Sequence, residues 1–360
     1  MDSTVQLLDP DGNRVEDQTY TPQVADVDDE MLRALYEDMV VVRRIDNEAT
    51  ALQRQGELAL WAPLLGQEAA QVGSARALQH DDFAFTSFRE HGVAYCRGVD
   101  PTAMLQFWRG STQSGWNPRD HNVTAPAIIV GAQSLHATGY AMGVKFDGSD
   151  TAVIAYFGDG ATSQGDVSEA FAFAASYGAP VVFFCQNNQW AISEPVRVQS
   201  HLPLAARGTG FGVPGIRVDG NDVLAVMAAT RAALRRAREG SGPTLIEAVT
   251  YRMGPHTTSD DPTKYRNAAE LDEWRGKDPL ARVEKYLERR GALTDDDRQR
   301  VAAKADLVAT ELRAGCLGTV EPTAAEMFNH VYAEPHSLVA AERRDYLEYL
   351  AGFEDEGIAS

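Results

Sequence analysis

The chain predicts an α/β protein: a doubly wound parallel sheet flanked by helices, with helical additions at its N- and C-terminal ends. Three observations carry this. Apolar β-like runs at 151–157, 181–185, 216–218 and 244–252 alternate with helix-like segments, which is the pattern of parallel strands joined by crossovers. Gly158-Asp159-Gly160 closes the first of these runs and Asn187-Asn188 closes the second. There is no internal repeat and no flexible interdomain linker, so one principal domain is expected.

Residues 1–27 are polar, acidic and aperiodic, and are expected to form an extended or partly ordered arm. Asp28 to Gln55 has helical spacing, with Met31, Leu35, Met39 and Val42 near one face. Gln67 to Leu78 follows as a second helix. A loop and a helix capped by Asp100-Pro101 occupy 86–110. Residues 110–124, rich in Gly, Ser, Asn and Pro, form a long loop, and long loops in compact domains are usually functional or mobile. Ala127 to Val130 is expected as a short strand and Ser134 to Phe146 as a helix of small residues. Beyond the Gly-Asp-Gly block, Asn221 or Asp222 caps a helix that stops at Gly240. Residues 254–266 have no periodicity, and from Pro279 the chain is helical, amphipathic and charged. The expected domain spans 28–350, with a tail at 351–360.

Bulk properties exclude some functions. With 33 basic against 52 acidic side chains, the net charge is −19, so nucleic acid is not an expected partner. Three scattered cysteines argue against a disulfide framework and for a reducing compartment. The first residues lack the basic and apolar regions of a signal peptide, and no apolar run reaches membrane-spanning length. A cytoplasmic protein without a membrane partner is expected.

A βαβ crossover places the ends of successive strands side by side at the carboxyl edge of the sheet, where α/β proteins bind ligands. Asp159 and Asn188 would meet there. One anionic and one neutral oxygen ligand suit a hard cation such as Mg²⁺, which takes the rest of its shell from phosphate and water. The glycines allow close approach of a diphosphate.

This block resembles the thiamine-diphosphate motif. The match extends to Gly66-Gln67-Glu68-Ala69, Arg89-Glu90-His91-Gly92-Val93, Arg217-Val218-Asp219-Gly220-Asn221-Asp222 and Tyr251-Arg252-Met253-Gly254-Pro255-His256-Thr257-Thr258-Ser259-Asp260-Asp261. Together these resemble the alpha subunit of the 2-oxo acid dehydrogenases over roughly residues 30–350. The resemblance implies the thiamine-diphosphate-binding fold, thiamine diphosphate and Mg²⁺ as cofactors, and oxidative decarboxylation of a small 2-oxo acid. It also implies a beta subunit in an α2β2 heterotetramer, which supplies the activating glutamate, and acyl transfer to a lipoyl-bearing acyltransferase core.

Residue by residue, the resemblance implies that Asp159, Asn188 and the Trp190 carbonyl ligate the metal. Gly158, Gly160 and Ala161 would face the diphosphate, and Arg89 would pair with a phosphate oxygen. Phe88 stands where relatives often carry tyrosine, and Gln186 where some carry a charged residue. Ile128 and Val130 match positions that touch the aminopyrimidine through backbone. Ala127 and Ala132 replace hydroxyl residues that hold potassium in some branched-chain relatives, so no potassium site of that kind is expected. His256 is the expected catalytic residue, because histidine donates and accepts protons near neutral pH. His91 and His136 are weaker candidates. Thr257 falls where animal relatives are phosphorylated on serine.

Trp61-Ala62-Pro63-Leu64-Leu65, apolar throughout, replaces a stretch where pyruvate-specific relatives often carry histidine. An apolar wall favours a branched aliphatic substrate, at about 0.8 kcal/mol per buried methylene. Pyruvate or acetoin is the alternative, since Ile129-Val130-Gly131-Ala132-Gln133 resembles the pyruvate group. Two rivals of other kinds are a non-catalytic subunit that keeps the fold, and a nicotinamide-dependent Rossmann enzyme. The third glycine of the latter's motif is absent after Gly158-Asp159-Gly160.

Overall fold

The computed structural model describes residues 4–111 and 114–354. Residues 1–3 of the expected arm, 355–360 of the expected tail, and two positions of the 110–124 loop lie outside them. The chain divides into two compact units, Met1–Leu317 and Gly318–Ser360; the boundaries expected from sequence lie at 27/28 and 350/351.

Seven strands are described: β1 (Phe83–Phe85), β2 (Val153–Gly158), β3 (Val181–Asn187), β4 (Trp190–Ala191), β5 (Glu194–Pro195), β6 (Gly215–Asp219) and β7 (Thr244–Val249). Five form one parallel sheet in the order β1-β2-β3-β7-β6, and β4 and β5 form a small antiparallel ribbon. Successive side chains of a strand point to opposite faces. Ile154, Tyr156, Val182 and Phe184 therefore enter one hydrophobic cluster with the helix Val223–Arg238. Val153, Ala155, Phe157, Val181 and Phe183 enter another, with the helices Ala132–Phe146 and Gly165–Tyr177. Both faces are covered, and the sheet is doubly wound as expected. Cys185 lies in the second cluster, and burial raises its thiol well above the usual range, which leaves it an inert packing group.

Two elements differ from expectation. Ala127–Val130 is not a strand. A strand needs a ladder, and this run makes one backbone bond to the β1 side, from the Ala127 N–H to the Thr86 carbonyl, while Ile128, Ile129 and Val130 are 52%, 76% and 41% exposed. In its place β1, unforeseen because it has only three residues, pairs Phe83 with Val153 at the sheet edge.

The N-terminal segment is tied to the sheet. Val5 bridges Val218 in parallel, and Leu7 and Leu8 are fully buried. Their N–H groups both donate to Asp222 Oδ2 at 2.6 Å, while Asp222 Oδ1 caps the helix Val223–Arg238 by accepting from Leu224 and Ala225. One buried carboxylate thus satisfies four backbone donors. Asp222→Ala is expected to destabilise the protein by about 3 kcal/mol, through the lost cap and the orphaned N–H groups. The midpoint of urea unfolding measures this.

The second unit contains a 3₁₀ turn, Ala324–Phe328, closed by a capping box between Thr323 and Glu326, and the helix Ser337–Glu354. Phe328 and Tyr346 bring their ring centroids within 6.0 Å.

Candidate active site

The carboxyl ends of β2 and β3 are neighbours, with Gly158 in register with Gln186. Asp159 opens a 3₁₀ turn, Asp159–Ser163, before the helix that begins at Gly165. Its side chain is buried, and Oδ2 accepts from Gln199 Nε2 at 3.0 Å. Burial raises this carboxyl to about 6. Across the strand gap, Asn188 Nδ2 donates to Gln67 Oε1 at 3.1 Å. Asn188 Oδ1 accepts from the Trp190 N–H at 3.3 Å. The Trp190 carbonyl accepts from Arg252 at 3.0 Å and keeps a second lone pair. Gly160 is needed for packing, since a Cβ there would stand 2.7 Å from that of Ala191 on β4. At Gly158 a Cβ would meet only the Gln186 carbonyl, at 4.0 Å.

Among the described residues, no three His, Cys, Asp or Glu side chains cluster as a metal site. A cation at Asp159 would draw on one carboxylate, an amide oxygen and a main-chain carbonyl, and fill its shell from a bound phosphate and water. That hard, sparse oxygen set fits Mg²⁺.

The loop after β7 brings His256 to the same edge. Arg89, buried, donates through Nη1 to the Pro63 carbonyl at 2.6 Å and through Nη2 to the His256 carbonyl at 2.9 Å. Nη2 also lies 3.2 Å from His256 Nδ1, and Arg252 Nη1 lies 3.4 Å from the same nitrogen. A guanidinium has only donors, so Nδ1 accepts and the imidazole hydrogen sits on Nε2. Burial, with Arg89 and Arg252 beside it, pushes His256 down to about 3, and the ring is neutral at physiological pH. Burial and then Arg252 lower Arg89 to about 10. The His256 N–H donates to Asp260 Oδ2 at 2.8 Å, which anchors the loop. The Phe88 ring stands edge-on to His256 at 5.9 Å.

A cavity of about 410 Å³ opens between these groups. Asp159, Asn188, Trp190, Gly158, Gly160 and Ala161 line it from the sheet edge, and Arg89, His256 and Phe88 line it as well. Ile128 and Val130 form part of its rim, half exposed. Gln186 also lines it, donating to Glu90 Oε1 at 2.5 Å, and burial raises Glu90 to about 7. The residues expected to hold the metal, the diphosphate and the aminopyrimidine, together with His256, therefore line one cavity.

The dehydrogenase E1 component family matches residues 36–311. The chain belongs to that family. The E1 chain is 46% identical over 348 residues to the 3-methyl-2-oxobutanoate dehydrogenase subunit alpha of Mycobacterium tuberculosis, covering 96% of this chain and 94% of that one. It is 41% identical over 348 residues to the pyruvate dehydrogenase E1 component subunit alpha of Staphylococcus epidermidis and of Staphylococcus aureus, with 96% and 92% coverage in each case. Family membership replaces the nicotinamide-dependent reading. Among its described residues, no helix of the E1 chain is long and apolar enough to cross a membrane.

Some expectations about this E1 chain need correction. Trp61, Ala62 and Leu64 do not wall the cavity. They are fully buried, because Asp46 accepts from Trp61 Nε1, the Leu64 N–H and the Leu65 N–H and turns the segment into the core. The apolar wall is built instead by Leu60, Phe88 and Trp108. His91 stacks on Trp61 at 4.0 Å with Nε2 3.1 Å from the Ala62 carbonyl, a packing role, and His136 is exposed on its helix. Gln67, Arg252 and Gln199 hold the site in shape but had no role in the sequence reading. Gln67 and Arg252 sit inside motifs quoted there, so a signal existed. Gln199 ends the one-turn helix Val196–Gln199, too short to leave a periodic signal, and gave none.

Proposed function

We propose that this chain is the alpha subunit of a branched-chain 2-oxo acid dehydrogenase. It acts with a beta subunit, in an α2β2 heterotetramer in the cytoplasm, to decarboxylate 2-oxo acids oxidatively with thiamine diphosphate and Mg²⁺. The acyl group passes to the lipoyl group of an acyltransferase core. The observation that carries this is the convergence of Asp159, Asn188, Arg89 and His256 on one cavity at the carboxyl edge of the sheet.

Asp159 Oδ, Asn188 Oδ1 and the Trp190 carbonyl hold the metal. Gly160 and Ala161 offer backbone to the diphosphate, and Arg89, already buried and committed to donation, pairs with a phosphate oxygen. Bound thiamine diphosphate supplies the electron sink that lets carbon dioxide leave. With Nδ1 engaged by Arg89 and Arg252, His256 would offer its Nε2 hydrogen to the cavity and steady negative charge developing there. Leu60, Phe88 and Trp108 give the substrate side chain a dry wall, where each added methylene contributes about 0.8 kcal/mol. This supports a branched aliphatic substrate.

The 41% identity to pyruvate dehydrogenase alpha subunits keeps pyruvate as the second reading. The chain assembled with its beta subunit is expected to favour 3-methyl-2-oxobutanoate over pyruvate by about tenfold or more in kcat/KM. A preference for pyruvate would overturn the branched-chain assignment.

A further inference from the structure

A second void adjoins the main cavity. It measures about 10 Å³, room for at most a water molecule, and Thr86, Ala94, Met104, Trp116 and Pro126 contribute to its walls. Ser87, Phe88, Glu90 and Trp108 line both spaces. These four residues are therefore the partition between them.

Trp108 is the largest member of the partition and the one best fixed in place. It lies on the helix Pro101–Arg109 and is 5% exposed. Its ring meets Trp61 at 5.6 Å and His91 at 5.8 Å, edge-on in each case. Its carbonyl accepts from the Ala59 N–H at 3.1 Å, which couples the helix to the segment carrying Leu60. Held on these sides, the indole has little freedom to swing away, as close packing requires. Leu60 and Phe88 pack against the same hydrophobic cluster, and Phe88 in turn touches His256. A substrate reacting beside His256 thus has this wall within reach of its side chain.

We infer that Trp108 is the stop that sets the maximum length of the 2-oxo acid side chain, with the small void behind it as the space its removal would join to the cavity. This rests on the 2-oxo acid reading and extends it to a specificity-determining residue. A short branched chain fits in front of the indole, whereas an aromatic or longer chain must occupy the volume the indole fills.

The test uses the assembled alpha and beta subunits with an artificial electron acceptor. Trp108→Ala is expected to raise the ratio of kcat/KM for 3-phenylpyruvate over 3-methyl-2-oxobutanoate by about 30-fold, and Trp108→Phe by less than about fivefold. Trp108→Leu repeats the test with a smaller loss of core packing if the alanine variant does not fold. An unchanged ratio in a folded variant with normal cofactor affinity overturns the inference. If the unaltered enzyme turns over no 2-oxo acid, the proposed function fails. The partition is then judged in crystals of the Trp108→Ala chain under xenon. Continuous xenon density from the main cavity to Met104 and Trp116 supports it, and separate sites or none overturn it.

Discussion

On the proposed metal-site role, Asp159→Ala is expected to lose high-affinity binding of magnesium and thiamine diphosphate, with Kd rising about 1,000-fold or more as titration calorimetry measures it. The size follows from removing the one carboxylate from a donor set that otherwise holds only neutral oxygens, in a site where water screens little. The same residue sets a pH dependence. In the ligand-free chain, burial holds the Asp159 carboxyl at about 6, while metal binding needs the anion. Affinity is therefore expected to fall about tenfold per unit as pH drops below 6, and to level off above it.

Stability responds in the opposite sense. A carboxyl raised in the folded state binds its proton more tightly there than in the unfolded chain. Its favourable contribution is full below the unfolded value near 3.8 and is lost as pH rises through about 6. Asp159→Asn is thus expected to make the ligand-free protein more stable at pH 8, by about 1–3 kcal/mol. Unchanged cofactor affinity in the alanine variant would remove Asp159 from the metal site.

His256→Ala is expected to slow acyl transfer to a lipoyl domain by about 100- to 10,000-fold, while cofactor affinity changes less than about threefold. The contrast follows from geometry. Nδ1 is engaged by Arg89 and Arg252, and only Nε2 is free to act in the cavity. In the ligand-free chain, burial, Arg89 and Arg252 push the imidazole down to about 3, so it stays neutral from pH 5 to 8. An NMR titration of the ligand-free chain should therefore show no step from His256 across that range. Lipoyl acylation measured by mass spectrometry decides the matter, and an undiminished rate in the alanine variant would assign the chemistry elsewhere.

The parts of this site that were legible in the sequence share a physical origin. Gly158-Asp159-Gly160 and Asn187-Asn188 follow apolar runs whose alternate residues feed two different clusters, and parallel pairing places such ends together whatever the rest of the chain does. Short or context-dependent features were not legible. Ala127–Val130 has strand composition but no partner to pair with, so it became a rim. Trp61 to Leu64 has the composition of a substrate wall, but the Asp46 carboxylate pulls it inward. Gln199 reaches Asp159 across 40 positions of chain from the end of a helix of only four residues, too short to show a period.

The alternation of parallel strands with covering helices, the helix caps and the placing of a carboxylate and an amide at the ends of successive strands were legible in the sequence alone, because local periodicity and crossover geometry leave few alternatives. Tertiary structure alone decided which apolar residues face the cavity, which nitrogen of His256 carries the hydrogen, and how far burial shifts Asp159. Each of these depends on neighbours distant in the chain and on the exclusion of water, and no local pattern encodes either.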